Sequence, residues 1–338
     1  MHQLLCNAIT QQRRDRTRTP APPRQPTRRQ RMSLAMVVWP SVTLPVEVKS
    51  GVDTYYDRAG WRHWGTCEFQ AIGPLDQLIF QLFGGRVEQL GSTCRVGTVA
   101  PWQRKQKVCK CSSPLDLIGP NHTVVEIGAN DGFHMSNSRF FEQHLGWHSL
   151  CVEANPLLFR KLTSNRPRCT NVNTLVSLRQ DFANPDAVPY ISFGRPVGEV
   201  EVRGRLGWET GVSGIESKNA SNEEIRTFTR AKTFARRMGL HVQRDFLPVT
   251  PFSTLFQRHR IQTIDLLSVD VEGAELSVLN SIDFRAVKIR FIVVEKATAE
   301  INKLLYAAGF LDLDLQTRLG DRIFHNTQWF TGPQAVER

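Results

Sequence analysis

Val124-Val125-Glu126-Ile127-Gly128-Ala129-Asn130-Asp131-Gly132 is the stretch on which the fold turns. Its opening run, entered at His122, is β-branched and apolar apart from Glu126, which is strand composition. It breaks into a glycine-rich turn. Ser136–Leu145 then reads as a helix, with Ser136 as N-cap and Gly146 behind its end. Strand, glycine turn and helix open a parallel α/β unit, in which a ligand meets the backbone at the strand's carboxyl end. The spacing here is G-x-x-x-G. The G-x-G-x-x-G that seats a pyrophosphate on a helix N-terminus is missing, and a carboxylate such as Glu126 has the wrong sign for one. The turn suits a ligand bearing ammonium and sulfonium charge.

Working outward, strand and helix patterns alternate. Ser149–Val152, Asn171–Leu178, Ile264–Val269 and Arg290–Val294 read as strands, and Leu157–Asn165, Ala274–Ile282 and Ala299–Ala308 as helices. Leu311–Leu315 and Arg322–His325 form a final pair around Gly320-Asp321. Continuous apolar strands between helices imply a mostly parallel sheet with helices on both faces. The segment between the third and fourth strands is too long for a plain crossover. Tyr190–Phe193 and Val197–Val202 are candidate extra strands within it. Ser221 and Glu224 form a capping box at the head of a helix reaching Met238, a candidate lid.

Acids stand at the strand ends. Glu153 closes Leu150-Cys151-Val152-Glu153, about 20 residues beyond the glycine turn, where a carboxylate accepts from both ribose hydroxyls of a nucleoside ligand. Asp270 and Glu272 lie in Leu267-Ser268-Val269-Asp270-Val271-Glu272-Gly273-Ala274-Glu275, and Glu295 ends the next strand. Acids at a helix start serve as caps and dipole partners, but Asp270, at the strand terminus, does not fit that role.

These three blocks, VVEIGANDG, LGWHSLCVEANP and IDLLSVDVEGAELSVLNSIDF, resemble the FkbM-type methyltransferases, class I enzymes that use S-adenosylmethionine. The resemblance covers about 118–330 and implies a Rossmann-like, seven-stranded sheet whose last strand is antiparallel. It implies that Glu126, Gly128, Asn130, Asp131 and Gly132 form the first cofactor loop and that Glu153 binds the ribose. Asp270 and Glu272 match the family's D-x-E-G block. The expected reaction is O-methylation of a hydroxyl on a small molecule or sugar, with Asp270, Glu272 and Glu295 as the available bases. The same three acids suit one Mg²⁺, but a metal-free base is the preferred expectation. A methyltransferase fold that has lost catalysis and serves as an interaction module is the alternative. A nicotinamide-dependent oxidoreductase is disfavoured by the absent fingerprint. A nucleic-acid base methylase is disfavoured because Asp270-Val271-Glu272-Gly273 stands where such enzymes carry an Asn/Asp-Pro-Pro-aromatic block.

The chain has 338 residues and a net charge of +11, with 43 basic and 32 acidic residues. Residues 1–35 hold eight arginines and a single acid, Asp15, so the tail carries most of the excess. That stretch reads as a disordered basic tail, or a transit peptide. Nucleic acid therefore has little support as a partner, since the body is only mildly basic. Localisation is expected to be cytoplasmic or organelle-targeted. Residues 36–117 read as an N-terminal extension packing on the main domain, 118–332, with a helix over Leu75–Phe83 and tryptophans 61, 64 and 102 for packing. No apolar run approaches the ~18 residues of a membrane span. Seven cysteines without a C-x-x-C pair are expected to be free thiols in a reducing compartment. Two sequons, Asn121-His122-Thr123 and Asn219-Ala220-Ser221, matter only if the chain is secreted.

Overall fold

A computed structural model of the chain describes residues 54–56, 60–69, 71, 75–88, 95–96, 107–194, 213–215, 233, 241–315 and 320–330. The basic tail, Trp102, Val197–Val202 and the helix expected over 221–238 lie outside the described residues, save Thr233.

Seven strands form the central sheet: β1 Thr123–Ile127, β2 His148–Val152, β3 Thr170–Val172, β4 Thr263–Val269, β5 Lys288–Val294, β6 Phe310–Asp312 and β7 Arg322–Asn326. Their order is β3-β2-β1-β4-β5-β7-β6. The first five run parallel, and β7 is antiparallel to both β5 and β6. The order reverses between β1 and β4, which is the switch point where open α/β sheets bind ligands. The expected antiparallel last strand is present.

Successive side chains of a strand face opposite sides of the sheet, and each side has its own core. Val125, Leu150, Leu267 and Ile292 join the cluster built with Phe252, Leu255, Val278, Leu279, Ile301 and Leu305. These come from α4 Phe252–His259, α5 Glu275–Asn280 and α6 Ala299–Ala307. Val124, Leu266, Phe291 and Ile323 face the other way. They meet α1 Leu75–Leu82, α2 Arg139–Gln143 and a small antiparallel sheet built on Trp61–Phe69 and Lys107–Pro114. Phe83 carries much of this contact, with its ring about edge-on to Trp147 and Phe291 at 5.0 Å each. The segment before β1 is thus a structural layer over one face of the main sheet.

Several local readings are corrected. The helix after β1 begins at Arg139, not Ser136, because residues 130–138 are folded into turns around buried side chains. The third strand stops at Val172, and Leu175–Val176 pairs instead with Val249–Thr250. The extra strand near Tyr190 spans Val188–Gly194 and pairs along its whole length with His241–Leu247, an element the sequence reading did not anticipate.

The free-thiol expectation fails. Cys67 is bonded to Cys111, and Cys151 to Cys169. The first bond ties the two central strands of the N-terminal sheet, which bring the pair within reach. The second ties β2 to the segment entering β3, beneath α3 Pro156–Asn165.

Candidate active site

The turn after β1 is held by backbone hydrogen bonds to the end of β2 and within itself. Gly128 and Ala129 donate N–H bonds to the Val152 carbonyl at 2.9 and 3.0 Å, and Gly132 donates to the Ala129 carbonyl. Gly128 has φ 87° and Gly132 φ 73°. A Cβ on Gly128 would stand 1.8 Å from the Asp270 carbonyl oxygen, and one on Gly132 would strike Leu162 and Arg166 at about 2.5 Å. Both glycines are therefore required by close approach as well as by φ.

Glu153 stands at the end of β2, almost fully buried. Its Oε2 accepts the Asn130 N–H at 2.8 Å and its Oε1 the Asn155 N–H at 2.7 Å. A carboxylate has about four acceptor directions, so two remain for a ligand's hydroxyls. Burial raises its pKa to about 7 against those two N–H bonds, which lower it. Asn130 holds φ 53°, and its side chain accepts the Asp131 N–H. Asp131 is buried, which alone would raise its pKa, but the hydrogen bond and charge of His134, 2.6 Å away, hold it below the usual value.

Glu126 lies deeper. Its Oε2 accepts from the hydroxyls of Ser136 and Ser138 at 2.9 and 2.6 Å, and its Oε1 from the Asn137 N–H at 2.6 Å. Arg166 Nη1 approaches to 3.8 Å and donates to Ser136, while Nη2 donates to Ser138. The same guanidinium pairs with Glu142. Glu126, Arg166 and Glu142 are all buried. Burial raises the Glu126 pKa, and the Arg166 charge and the hydroxyls oppose it. All these contacts hold the turns of 136–138 in place. No signal in the sequence marked Arg166, Ser136 or Ser138 as partners of this acid.

At the carboxyl ends of β4 and β5, Asp270, Glu272 and Glu295 offer carboxylate oxygens within 4.8 Å of one another. The three acids expected together are together. Glu275 accepts N–H bonds from Val271 and Gly273. Lys296, which the sequence reading overlooked, pairs with Glu295 and lies 3.6 Å from Glu272. Asp270 is exposed as a residue, yet desolvation of its carboxyl, then the charge of Glu295 and a hydrogen bond shared with it, push its pKa up. Glu272 is raised to about 7 by desolvation and Glu295, with Lys296 opposing. Of six non-glycine residues with positive φ among the described residues, Asn130, Glu272 and Lys296 fall here. Such conformers cost roughly 1–3 kcal/mol each and concentrate at functional sites.

The insertion also reaches this end of the sheet. Buried Tyr190 hydrogen-bonds Ser213, whose hydroxyl accepts from Asn155 Nδ2 at 3.0 Å. Burial, then the charge of Glu153, raises the Tyr190 pKa well above its usual value.

A sheet of order 3-2-1-4-5-7-6 with acids at the ends of its second, fourth and fifth strands defines a class I, S-adenosylmethionine-dependent methyltransferase. The family model for the methyltransferase FkbM domain matches residues 126–313, and the chain belongs to that family. Comparison with curated proteins yields no match. Among solved structures, fibrillarin from Aeropyrum pernix with natively bound S-adenosyl-L-methionine is similar at 9% identity and TM-score 0.33, over 81% of this chain and 97% of that one. A TehB-like SAM-dependent methyltransferase from Corynebacterium glutamicum is similar at 10% identity and TM-score 0.27, over 63% and 84%. Human methyltransferase 10 domain containing protein is similar at 10% identity and TM-score 0.29, over 76% and 83%.

Proposed function

We propose that this methyltransferase acts on oxygen, transferring a methyl group to a hydroxyl of a small molecule or sugar. Supporting the reading is the trio Asp270, Glu272 and Glu295 at the switch-point end of the sheet, beside the turn that begins at Gly128. When bound, S-adenosylmethionine supplies the methyl group as an electrophile on sulfur. The chain's part is to hold that group in line with the acceptor oxygen and to take the acceptor's proton. Glu153 would accept the ribose hydroxyls on its two remaining acceptor directions, and the backbone of Gly128–Gly132 would line the cofactor's side of the site. Glu126 acts at one remove, by fixing residues 136–138 behind that turn.

Glu272 is the base in this reading. Its pKa of about 7 leaves a useful ionised fraction at neutral pH and enough basicity to draw a proton. Asp270, whose carboxyl pKa is raised, shares a hydrogen bond with Glu295. Lys296 supplies positive charge to the cluster, which favours a base without metal over a Mg²⁺ site.

The test is incubation of the protein with methyl-labelled cofactor and a cell extract, followed by identification of the labelled product. A labelled methyl ether is the expected result, formed equally well in EDTA, with Glu272→Gln slowing turnover about 10²–10⁴-fold. Cofactor binding without label transfer to any acceptor would favour the interaction module instead. Loss of activity in EDTA, restored by Mg²⁺, would replace the metal-free base by the metal.

A further inference from the structure

We propose that Asn121 carries an N-linked glycan and that the chain matures in an oxidising, secretory compartment. Two independent observations meet here. The first is cysteine pairing: each of the four cysteines whose side chains are described, Cys67, Cys111, Cys151 and Cys169, is in a disulfide, and all four are buried. Disulfides of this kind persist in oxidising compartments and are rare where thiols are kept reduced. The two bonds sit in different layers of the fold, one in the N-terminal sheet and one under α3, so they do not form a catalytic dithiol pair.

The second observation is the placement of Asn121-His122-Thr123. Asn121 lies in the exposed turn leading into β1, next to exposed Pro120. The residues after it are pinned. His122 stacks on Trp147 and bonds the Asp116 carbonyl at 2.7 Å, and the Thr123 N–H donates to Asp265 at 3.0 Å. Asn121 is thus the accessible member of a fixed turn. It also stands at the amino end of β1, while the Gly128 turn is at the carboxyl end. At ~3.3 Å per strand residue the two are roughly 20 Å apart, so a glycan there clears the cofactor turn. The other sequon, Asn219-Ala220-Ser221, lies outside the described residues.

In the modification, Asn121 Nδ2 forms a bond to the anomeric carbon of an oligosaccharide. The glycosyl–phosphate bond of a lipid-linked oligosaccharyl diphosphate breaks, the diphosphate leaves with the electron pair, and the amide gives up one proton.

The experiment uses the full chain isolated from its own cells, with free thiols blocked at lysis. Peptide mapping without reduction is expected to recover Cys67–Cys111 and Cys151–Cys169 as linked peptides. Treatment with peptide-N-glycosidase in heavy-oxygen water is expected to convert Asn121 to an isotopically marked aspartate. Asn121→Gln and Thr123→Ala remove the mark, and Thr123→Ser, which keeps the acceptor hydroxyl, retains it. Bare Asn121 in the isolated protein overturns the glycan. Recovery of the four cysteines as blocked free thiols overturns the compartment, and the glycan with it.

Discussion

The α-carbon of Gly128 is pressed against the main-chain carbonyl of Asp270, so closely that a single added methyl would sit 1.8 Å from the oxygen. Asp270 returns the contact by donating its N–H to the Ile127 carbonyl at 3.0 Å. The turn assigned to the cofactor and the first acid of the carboxylate trio are therefore one packed backbone unit. A change on either side must move the other.

Gly128→Ala follows directly. The methyl meets backbone, which cannot rotate away, and an L side chain at φ 87° adds its own strain. Overpacking and left-handed strain together cost about 2–5 kcal/mol. Urea denaturation should show that loss, and calorimetry should show cofactor affinity falling with it. A wild-type midpoint would mean that the two strand ends are not in contact.

Glu153 ties stability to pH. Its pKa rises on folding from 4.5 to about 7, so within that window the folded chain holds a proton the unfolded chain has released. Stability therefore falls as pH climbs from 4.5 to 7. Glu272, raised to the same value, adds to the fall. Glu153→Gln and Glu272→Gln should each flatten the curve of unfolding free energy against pH. Asp131, held low, acts oppositely, and its contribution is lost as pH drops below the ordinary aspartate value. Because ionised Glu153 accepts hydroxyl protons better, S-adenosylhomocysteine should bind more tightly as pH passes 7. Glu153→Ala should cost about 1–3 kcal/mol of that binding.

Arg166 and Glu142 form a buried ion pair, and the second carboxylate near the guanidinium, that of Glu126, stands farther off at 3.8 Å. Glu142→Gln leaves the guanidinium with the hydroxyls of Ser136 and Ser138 and with the charge of Glu126 at 3.8 Å. Removing one member of such a pair costs about 3–5 kcal/mol, most of it from the stranded charge. Chemical denaturation of Glu142→Gln and of Arg166→Met should each show a loss in that range. A change below about 1 kcal/mol would be that of a solvated surface pair.

The disulfides close segments of 18 and 44 residues. By loop entropy they should contribute about 3 and 4 kcal/mol. Reduction in denaturant, followed by thiol blocking, should lower the unfolding midpoint on refolding. Mild reductant on the native chain should act slowly, since all four sulfurs belong to buried residues.

The sheet was legible because its signals are local. Val124–Ile127, Leu150–Val152, Leu266–Val269 and Phe291–Val294 are runs apolar but for Glu126 and Ser268, and Gly128 and Gly132 mark the turn that follows the first of them. Glu153, Asp270 and Glu295 declared themselves by standing where those runs end. The Ser136 reading failed for the same local reason. A serine before an apolar run looks like a cap, but here its hydroxyl is drawn to Glu126 and Arg166, ten residues before it and thirty after.

What the sequence by itself determined is the order of elements, the glycine turn and the set of strand-end acids, because each depends on neighbours within a few residues. Tertiary structure alone decided what those acids face. Glu126 and Glu153 both end or nearly end parallel strands, yet one is sealed among two serines and an arginine while the other keeps acceptor directions for a ligand. Which cysteines meet, that Val188–Gly194 pairs with His241–Leu247, and that Lys296 stands between Glu272 and Glu295 were likewise settled by packing. The physical reason is that burial and pairing are properties of the closed sheet. The chain must bring residues tens of positions apart into contact before any of these groups has an environment to respond to.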